Sequence, residues 1–427
     1  MITPNNFKGT DIECIMQAVE NRENGVVVIP KRTIDAKRDY WLIDSAILLP
    51  ENTTVILQNC KIKLSDKCRD NFFRSANCGM GIEFPERISN IHIKGEGLSI
   101  LEGADHPRAT GDGSKILACP CPKKPEDMLK YADWVSDEHK AAGITTFAEE
   151  HSHSYGTDAL NPEESPKGDW RGIGVLFANV EDFSIENIRI VRPHGWAISM
   201  EACAYGRIEK IDFDSDMSRE ADGMLHNSEN QDGIDLRAGC HNIIISDITG
   251  GTGDDMVALT AFAKDIYRPG GSLGRTEVMH TDWTKREKDI HDIIIRNVVG
   301  YSKGGICFMV RLLPGYTKIY NVVIDGIVDA SPEGHRQSGI ILLGEEHDGI
   351  FPDTMYNITI SNVIATCGRP IVNAGFLSNS TITNVVNNNP KYPAIWQVRE
   401  DGMKNVTLGA ISSVSGKDVE VMGYLWE

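Results

Sequence analysis

Long apolar runs are absent from this chain. Nowhere among its 427 residues do about 18 uncharged apolar residues follow one another, so no segment is suited to span a bilayer. Positive charge is also scarce. Lys and Arg number 43 against 61 Asp and Glu, a formal net charge of −18. Such a chain repels phosphate backbones and anionic lipid, so neither nucleic acid nor a membrane surface is an expected partner. Aromatic residues make up only 7%, whereas the 40 glycines suit turns and tight stacking. The opening residues, Met1-Ile2-Thr3-Pro4-Asn5-Asn6, lack the basic-then-apolar layout of a secretory signal. The ten cysteines, at 14, 60, 68, 78, 119, 121, 203, 240, 307 and 367, follow no regular framework. Most lie in apolar, strand-like contexts where free Cys acts as a small hydrophobe, and a reduced cytoplasmic protein is expected. A leader already removed would leave the same chain.

Recognisable cofactor motifs are missing too. Cys119-Pro120-Cys121 is not a metal-ligand spacing, and His151-Ser152-His153 reads as a pair of surface residues. Gly270-Gly271-Ser272-Leu273-Gly274 has no phosphate-loop Lys after it. No metal or cofactor is expected. What remains is 41% hydrophobic, enough for a large core, which excludes a disordered chain.

One short phrase recurs along that core-forming sequence: a polar residue, often Asn, then alternating β-branched residues, then Asn or Gly and another aliphatic. It reads Asp182-Phe183-Ser184-Ile185-Glu186-Asn187-Ile188, Asn242-Ile243-Ile244-Ile245-Ser246-Asp247-Ile248 and Asp292-Ile293-Ile294-Ile295-Arg296-Asn297-Val298. Further copies start at Asn321 and Asn357, with weaker ones at Asn90, Gly206, Asn379 and Asn405. From 182 onward the spacings are 24, 36, 50, 29, 36, 22 and 26 residues, a common unit with loops of variable length inserted. The period-two alternation excludes helical repeats. Strands this short bury nothing alone, so coils must stack around a shared core, with polar turn residues forming hydrogen-bonded ladders. The sequence therefore predicts an all-β chain, a single parallel β-helix domain over 1–427. A helix over Asp11–Val19, with Ile12, Ile15, Met16 and Val19 on one face, would cap its first coil. Residues 104–170 break the rhythm with Pro and charge and read as a long inserted loop over one face, with a helix near 125–142.

A second strand precedes each phrase. Aligning the aliphatics places Trp196, Asp232, Asp255, Gly304 and Ser338 in one column, each two residues before its inward aliphatic. Adjacent coils lie about 4.8 Å apart. Asp232, Asp254 and Asp255 thus converge, and three carboxylates roughly 5–7 Å apart cannot all ionise without mutual penalty. One proton affinity should rise, leaving a donor beside a carboxylate, the pairing that glycoside cleavage requires. The bland alternatives are acidic turn residues or a Ca²⁺ site. Asp235, Arg237 and Arg311 alternate outward from the same strands, where the two arginines could clamp sugar hydroxyls or a carboxylate, or serve only as surface charge. Trp196 could stack on a sugar ring or pack under a loop.

Asn230-Gln231-Asp232-Gly233-Ile234-Asp235, followed 22 residues later by Gly253-Asp254-Asp255, resembles the Asn-Thr-Asp and Asp-Asp motifs of glycoside hydrolase family 28, the polygalacturonases. Trp196 in Pro193-His194-Gly195-Trp196 is similar to that family's aromatic on the preceding coil. The resemblance implies a right-handed, pectin-lyase-like β-helix and hydrolysis of an oligo- or polysaccharide with inversion. It implies Asp254 or Asp255 as the acid and Asp232 among the water-activating bases. Two motifs of the family are missing. Its Gly-His-Gly falls at Lys303-Gly304-Gly305, and its Arg-Ile-Lys at Ile341-Leu342-Leu343, which has no charge. The chain is thus expected to be a divergent relative with another sugar specificity or a changed reaction. Any of His226, His335 or His347 could replace the lost His. Carboxyls about 5 Å apart ordinarily fit retention, so coil spacing and the resemblance pull in opposite directions. Two other classes stay open: a β-helix lyase or epimerase, with Lys264, Arg237 or Arg311 as base, and a non-catalytic carbohydrate-binding β-helix.

Overall fold

In the computed structural model the described residues are 2–68, 70–79, 81–105, 169–215, 218–221, 224–227, 231–261, 277–281, 285–304, 307–315, 317–335, 339–344 and 351–423. Most of the expected 104–170 insertion, with its helix near 125–142, lies outside them. So do Lys264, His347, the glycine-rich 270–274 stretch, and Cys119 and Cys121.

Two long parallel sheets run the length of the chain, one of fourteen strands and one of eleven, and each coil adds a rung to both. The first sheet holds the repeated phrase: Val180–Val191, Ala204–Asp214, His241–Thr252, Ile290–Ser302, Ile319–Asp329, Met355–Ala365, Leu377–Asn387 and Met403–Ser413 pair in that order. Inward aliphatics superpose rung on rung. Ile208 pairs with Ile245, Ile245 with Ile295, Ile295 with Ile324, and Ile324 with Ile360, all fully buried. Each such side chain contributes about 1.5–3 kcal/mol relative to exposure.

The polar residues of the phrase have a conformational reason to be there. Asp182 and Asn187, Asn242 and Asp247, Asp292 and Asn297, Asn357 and Asn362, and Asn379 and Asn384 all have φ between 47° and 59°. L-residues disfavour that left-handed region, and Asn and Asp tolerate it best. Two such corners five residues apart bend each long strand around the core. Their side chains then form the expected ladders. Asn321 Nδ2 donates to Asp292 Oδ1 at 2.8 Å, and Asn357 Nδ2 to Asn321 Oδ1 at 3.1 Å. The residue before each corner adds an aromatic ladder that the sequence reading did not anticipate. His241, His291, Tyr320 and Tyr356 stack with centroids 5.0, 5.0 and 4.9 Å apart.

The amino-terminal cap forms as expected over Asp11–Glu20, with Thr10 and Glu13 exchanging capping hydrogen bonds. Its buried face is Cys14, Ile15, Ala18 and Val19, with Ile12 and Met16 packed at the flank. Cys14, Cys60, Cys68, Cys78, Cys203, Cys240 and Cys307 are buried free thiols, and Cys367 is half-buried.

Candidate active site

The second sheet carries the acids. Its rungs include Val175–Ala178, Ile198–Glu201, Ile234–Arg237, Val257–Thr260, Phe308–Leu313, Gly339–Leu343, Arg369–Asn373 and Ile395–Gln397. Ile198 pairs with Ile234, and Ile234 with Val257, so Trp196, Asp232 and Asp255 do share a column. Beyond Asp255 the expected alignment is corrected. Val257 pairs with Val310 rather than Ile306, and Val310 with Ile341 rather than Ile340. Phe308 and Gly339, not Gly304 and Ser338, therefore continue the column. The reason is local: Gly304 packs beside Gly253, and the strand begins at Phe308. Gly233 has a comparable constraint, since a Cβ there would meet the Met256 carbonyl oxygen at 2.4 Å.

Asp232, Asp254 and Asp255 each offer an oxygen, and the three oxygens lie within 4.8 Å of one another. Asp232 and Asp255 are 7% and 1% exposed, and Asp254 is half-buried, at the mouth of the cluster. Asp255 is fixed from two sides. Phe308 N–H donates to its Oδ1 and Arg311 Nη1 to its Oδ2, both at 2.7 Å. Burial still raises its proton affinity to a pKa of about 6, with Arg311 pulling the other way and Asp254 adding to the rise. Asp232 has no such clamp, and its buried Oδ1 has no hydrogen-bond partner. Burial first, then the charges of Asp254, Asp235 and Asp255, push its proton affinity far above the ordinary carboxylate range. The backbone of Asp254 is anchored by Thr252 Oγ1 and Ser302 Oγ, which donate to its carbonyl at 2.7 and 2.8 Å. Its own Oδ1 accepts from Asp255 N–H at 2.9 Å.

Cys307 was missed as a site residue. Its thiol is 3% exposed and hydrogen-bonds Asp254, and burial together with both acids pushes its proton affinity up. The corrected register explains the oversight, because only with Phe308 opposite Asp255 does Cys307 reach the acids.

Three of the expected substrate contacts sit elsewhere. Trp196 is 4% exposed and packs with Trp170, Ile173, Leu176 and Val278, so it offers no open ring face in this structure. Arg237 is 1% exposed and lies 5.3 Å from the Trp196 ring, with Glu201 and Glu277 at 3.7 and 3.5 Å. Asp235, also 1% exposed, is buried and holds its proton more tightly than usual through burial and Asp255. Asp235 and Arg237 were expected on an open surface because outward positions of a sheet are normally solvated, and here that face is covered; for Trp196 it is the packed alternative that the structure shows. Arg311, with 22% of its side chain exposed, is the one expected contact that a ligand can reach. His335 Nε2–H donates to the Ser302 carbonyl at 2.8 Å, which ties it to backbone beside the cluster. The His226 side chain lies outside the described residues. The three clustered acids could hold a hard divalent cation by donor type, but Arg311 already supplies positive charge at Asp255.

No protein-family model matches the chain, and no curated protein sequence matches it. Similarity is found among solved structures. A polygalacturonase from Erwinia carotovora ssp. carotovora is 14% identical, with a TM-score of 0.55 over 97% of this chain and 94% of that one. The Streptococcus pneumoniae surface protein and adhesin PfbA is 13% identical, with a TM-score of 0.56 over 96% of each chain. The A-module of the Azotobacter vinelandii mannuronan C-5 epimerase AlgE4 is 12% identical, with a TM-score of 0.50 over 97% of this chain and 94% of that one.

Proposed function

From the right-handed parallel β-helix that this chain shares with a hydrolase, an adhesin and an epimerase, we propose that it is a glycoside hydrolase acting on an oligo- or polysaccharide by carboxylate acid–base catalysis. The observation that carries this reading is the set of three acid oxygens within 4.8 Å, one acid reachable and two buried. Fold alone does not choose among activities.

In this reading Asp254, at the mouth, passes a proton drawn from Asp232 to the glycosidic oxygen as the bond from that oxygen to the anomeric carbon breaks. Asp255, held as a carboxylate by Arg311 and Phe308 N–H, takes a proton from the water whose oxygen forms the new bond. Asp232, which burial keeps proton-bearing, spares the cluster a third negative charge and lies close enough to return a proton to Asp254. This exchanges the base role that the family resemblance implied for Asp232. Acid oxygens within 4.8 Å of one another ordinarily fit retention; inversion is proposed from the family resemblance. No cofactor enters the scheme.

The test is a screen of reducing-end release across pectic, rhamnose-containing and host-type glycans, with the product anomer followed by NMR. Saturated products of inverted configuration are expected. Products with an unsaturated end would replace this reading with a lyase, and binding without turnover would replace it with a carbohydrate-binding role.

A further inference from the structure

On the amino-terminal side of the acids the outward face of the second sheet is sealed. The outward residues on the preceding rungs are Ser199 and Glu201, then Leu176 and Ala178, then Arg74, and none exceeds 9% exposure. A strap of residues 277–281 helps to close it, and polar contacts tie the strap down. Val278 N–H donates to both Glu201 carboxylate oxygens at 3.0 and 3.2 Å, and Met279 N–H donates to Oε2 at 3.4 Å. Arg237 bridges Glu201 to Glu277 on the strap. At its far end His280 N–H donates to the Glu83 carbonyl at 2.7 Å, and the His280 ring lies 5.4 Å from Phe84. Val278 itself is 6% exposed and fills an apolar cluster with Trp170, Ile173, Leu176 and Trp196.

On the carboxyl-terminal side Leu342, Val372 and Trp396 are likewise covered, within a cluster that includes Phe308. Among the described residues of the cluster, Asp254 and Arg311 are the more exposed groups between these two covered stretches. Cleavage inside a polymer needs a trough open at both ends, because both arms of the chain must pass the acids. A site with covered stretches on both sides admits a chain only end first, over the face that carries Asp254 and Arg311.

Resting on the hydrolase reading above, we infer that the enzyme is exo-acting: it removes the terminal sugar unit or units of a glycan, and Glu201 is a positioning residue that keeps the wall in place. Glu201 touches no reacting atom. Its carboxylate acts through Val278, Met279 and Arg237.

The experiment is size-resolved analysis of early products from whichever of those pectic, rhamnose-containing and host-type glycans is cleaved, with wild type, Glu201→Ala and the milder Val278→Ala, each checked for folding by its melting temperature. Wild type should release terminal mono- or disaccharide as its sole early product, with polymer length falling slowly. In whichever variant stays folded, loosening the wall should add mid-length fragments. Mid-length fragments from wild type at the outset would overturn the end-on inference while leaving the hydrolase reading intact. Folded variants of both kinds that keep the terminal-unit pattern would overturn the role given to the strap. Release from none of the glycans counts against the hydrolase reading itself.

Discussion

Asp254→Asn is expected to lower kcat by about 10³-fold, within the range that a positioned general acid supplies, while leaving the fold in place. The asymmetry follows from where the residue sits. Asp254 is half-buried, so removing its ionisable oxygen uncovers no core and strands no buried charge. Its structural bonds survive the exchange. The Thr252 and Ser302 hydroxyls bond its backbone carbonyl, and the Asn side-chain oxygen can still accept from Asp255 N–H. Stability should change by no more than about 0.5 kcal/mol, as for other partly exposed substitutions. Activity assays and thermal melts on the same preparations separate the two effects. A folded Asp254→Asn enzyme with wild-type turnover would remove Asp254 from the chemistry.

Arg311→Gln should cost about 10²-fold at pH 6 and move the acid limb of the rate profile to higher pH. Arg311 is the charge that opposes the burial-driven rise at Asp255, whose pKa lies at about 6 against an ordinary 3.8. Without it the Asp255 carboxylate is disfavoured further, so the base is protonated over more of the working range. The effect on folding has a definite sign. A raised folded-state pKa means that ionising Asp255 opposes folding; the penalty begins above pH 3.8 and is complete once pH passes about 6. Removing Arg311 enlarges that penalty, so the variant should lose more stability at pH 7 than at pH 4. Breaking a buried pair costs about 3–5 kcal/mol, and the 22% exposure of the Arg311 side chain lowers the expected loss to about 2 kcal/mol at pH 7. Melts across pH 4–7 and kcat/KM profiles read both effects. An acid limb that stays in place would show that Asp255 is not the titrating base.

Much of this architecture was legible because a β-helix writes its geometry into the sequence twice. The inward aliphatics repeat at period two, and the left-handed corners demand Asn, Asp or Gly, so Asp292, Asn321 and Asn357 announce their rungs in advance. The aromatic ladder carried a signal as well: His241, His291, Tyr320 and Tyr356 each precede a corner residue. Convergence of Asp232, Asp254 and Asp255 followed from the same alignment, since Ile234 and Val257 lie on adjacent rungs one coil apart, with the strand His241–Thr252 between them in the chain.

Legibility ended where spacing stopped being regular. Between Asp255 and the next rung the chain makes a long excursion, and Gly304-Gly305-Ile306 imitates the glycine-aliphatic start of a strand that begins only at Phe308. That slip hid Cys307 and the Phe308 N–H from the site. Nor does period-two alternation reveal what covers a sheet. Asp235 and Arg237 occupy outward positions that look solvated in sequence, yet both are buried, and Arg237, like Glu201, anchors the strap. Contacts made by a segment dozens of residues away leave no periodic trace.

Crowding and burial make Asp232 keep its proton where an ordinary Asp has lost it. Infrared difference spectroscopy of wild type against Asp232→Asn at pH 6, without substrate, reads this directly through the carbonyl stretch of a protonated carboxyl. The account predicts a difference band from the Asp232 carboxyl, present in wild type and gone in Asp232→Asn, on top of the stretch that Asp235 and Asp255 give both proteins. Identical spectra at pH 6 would contradict it.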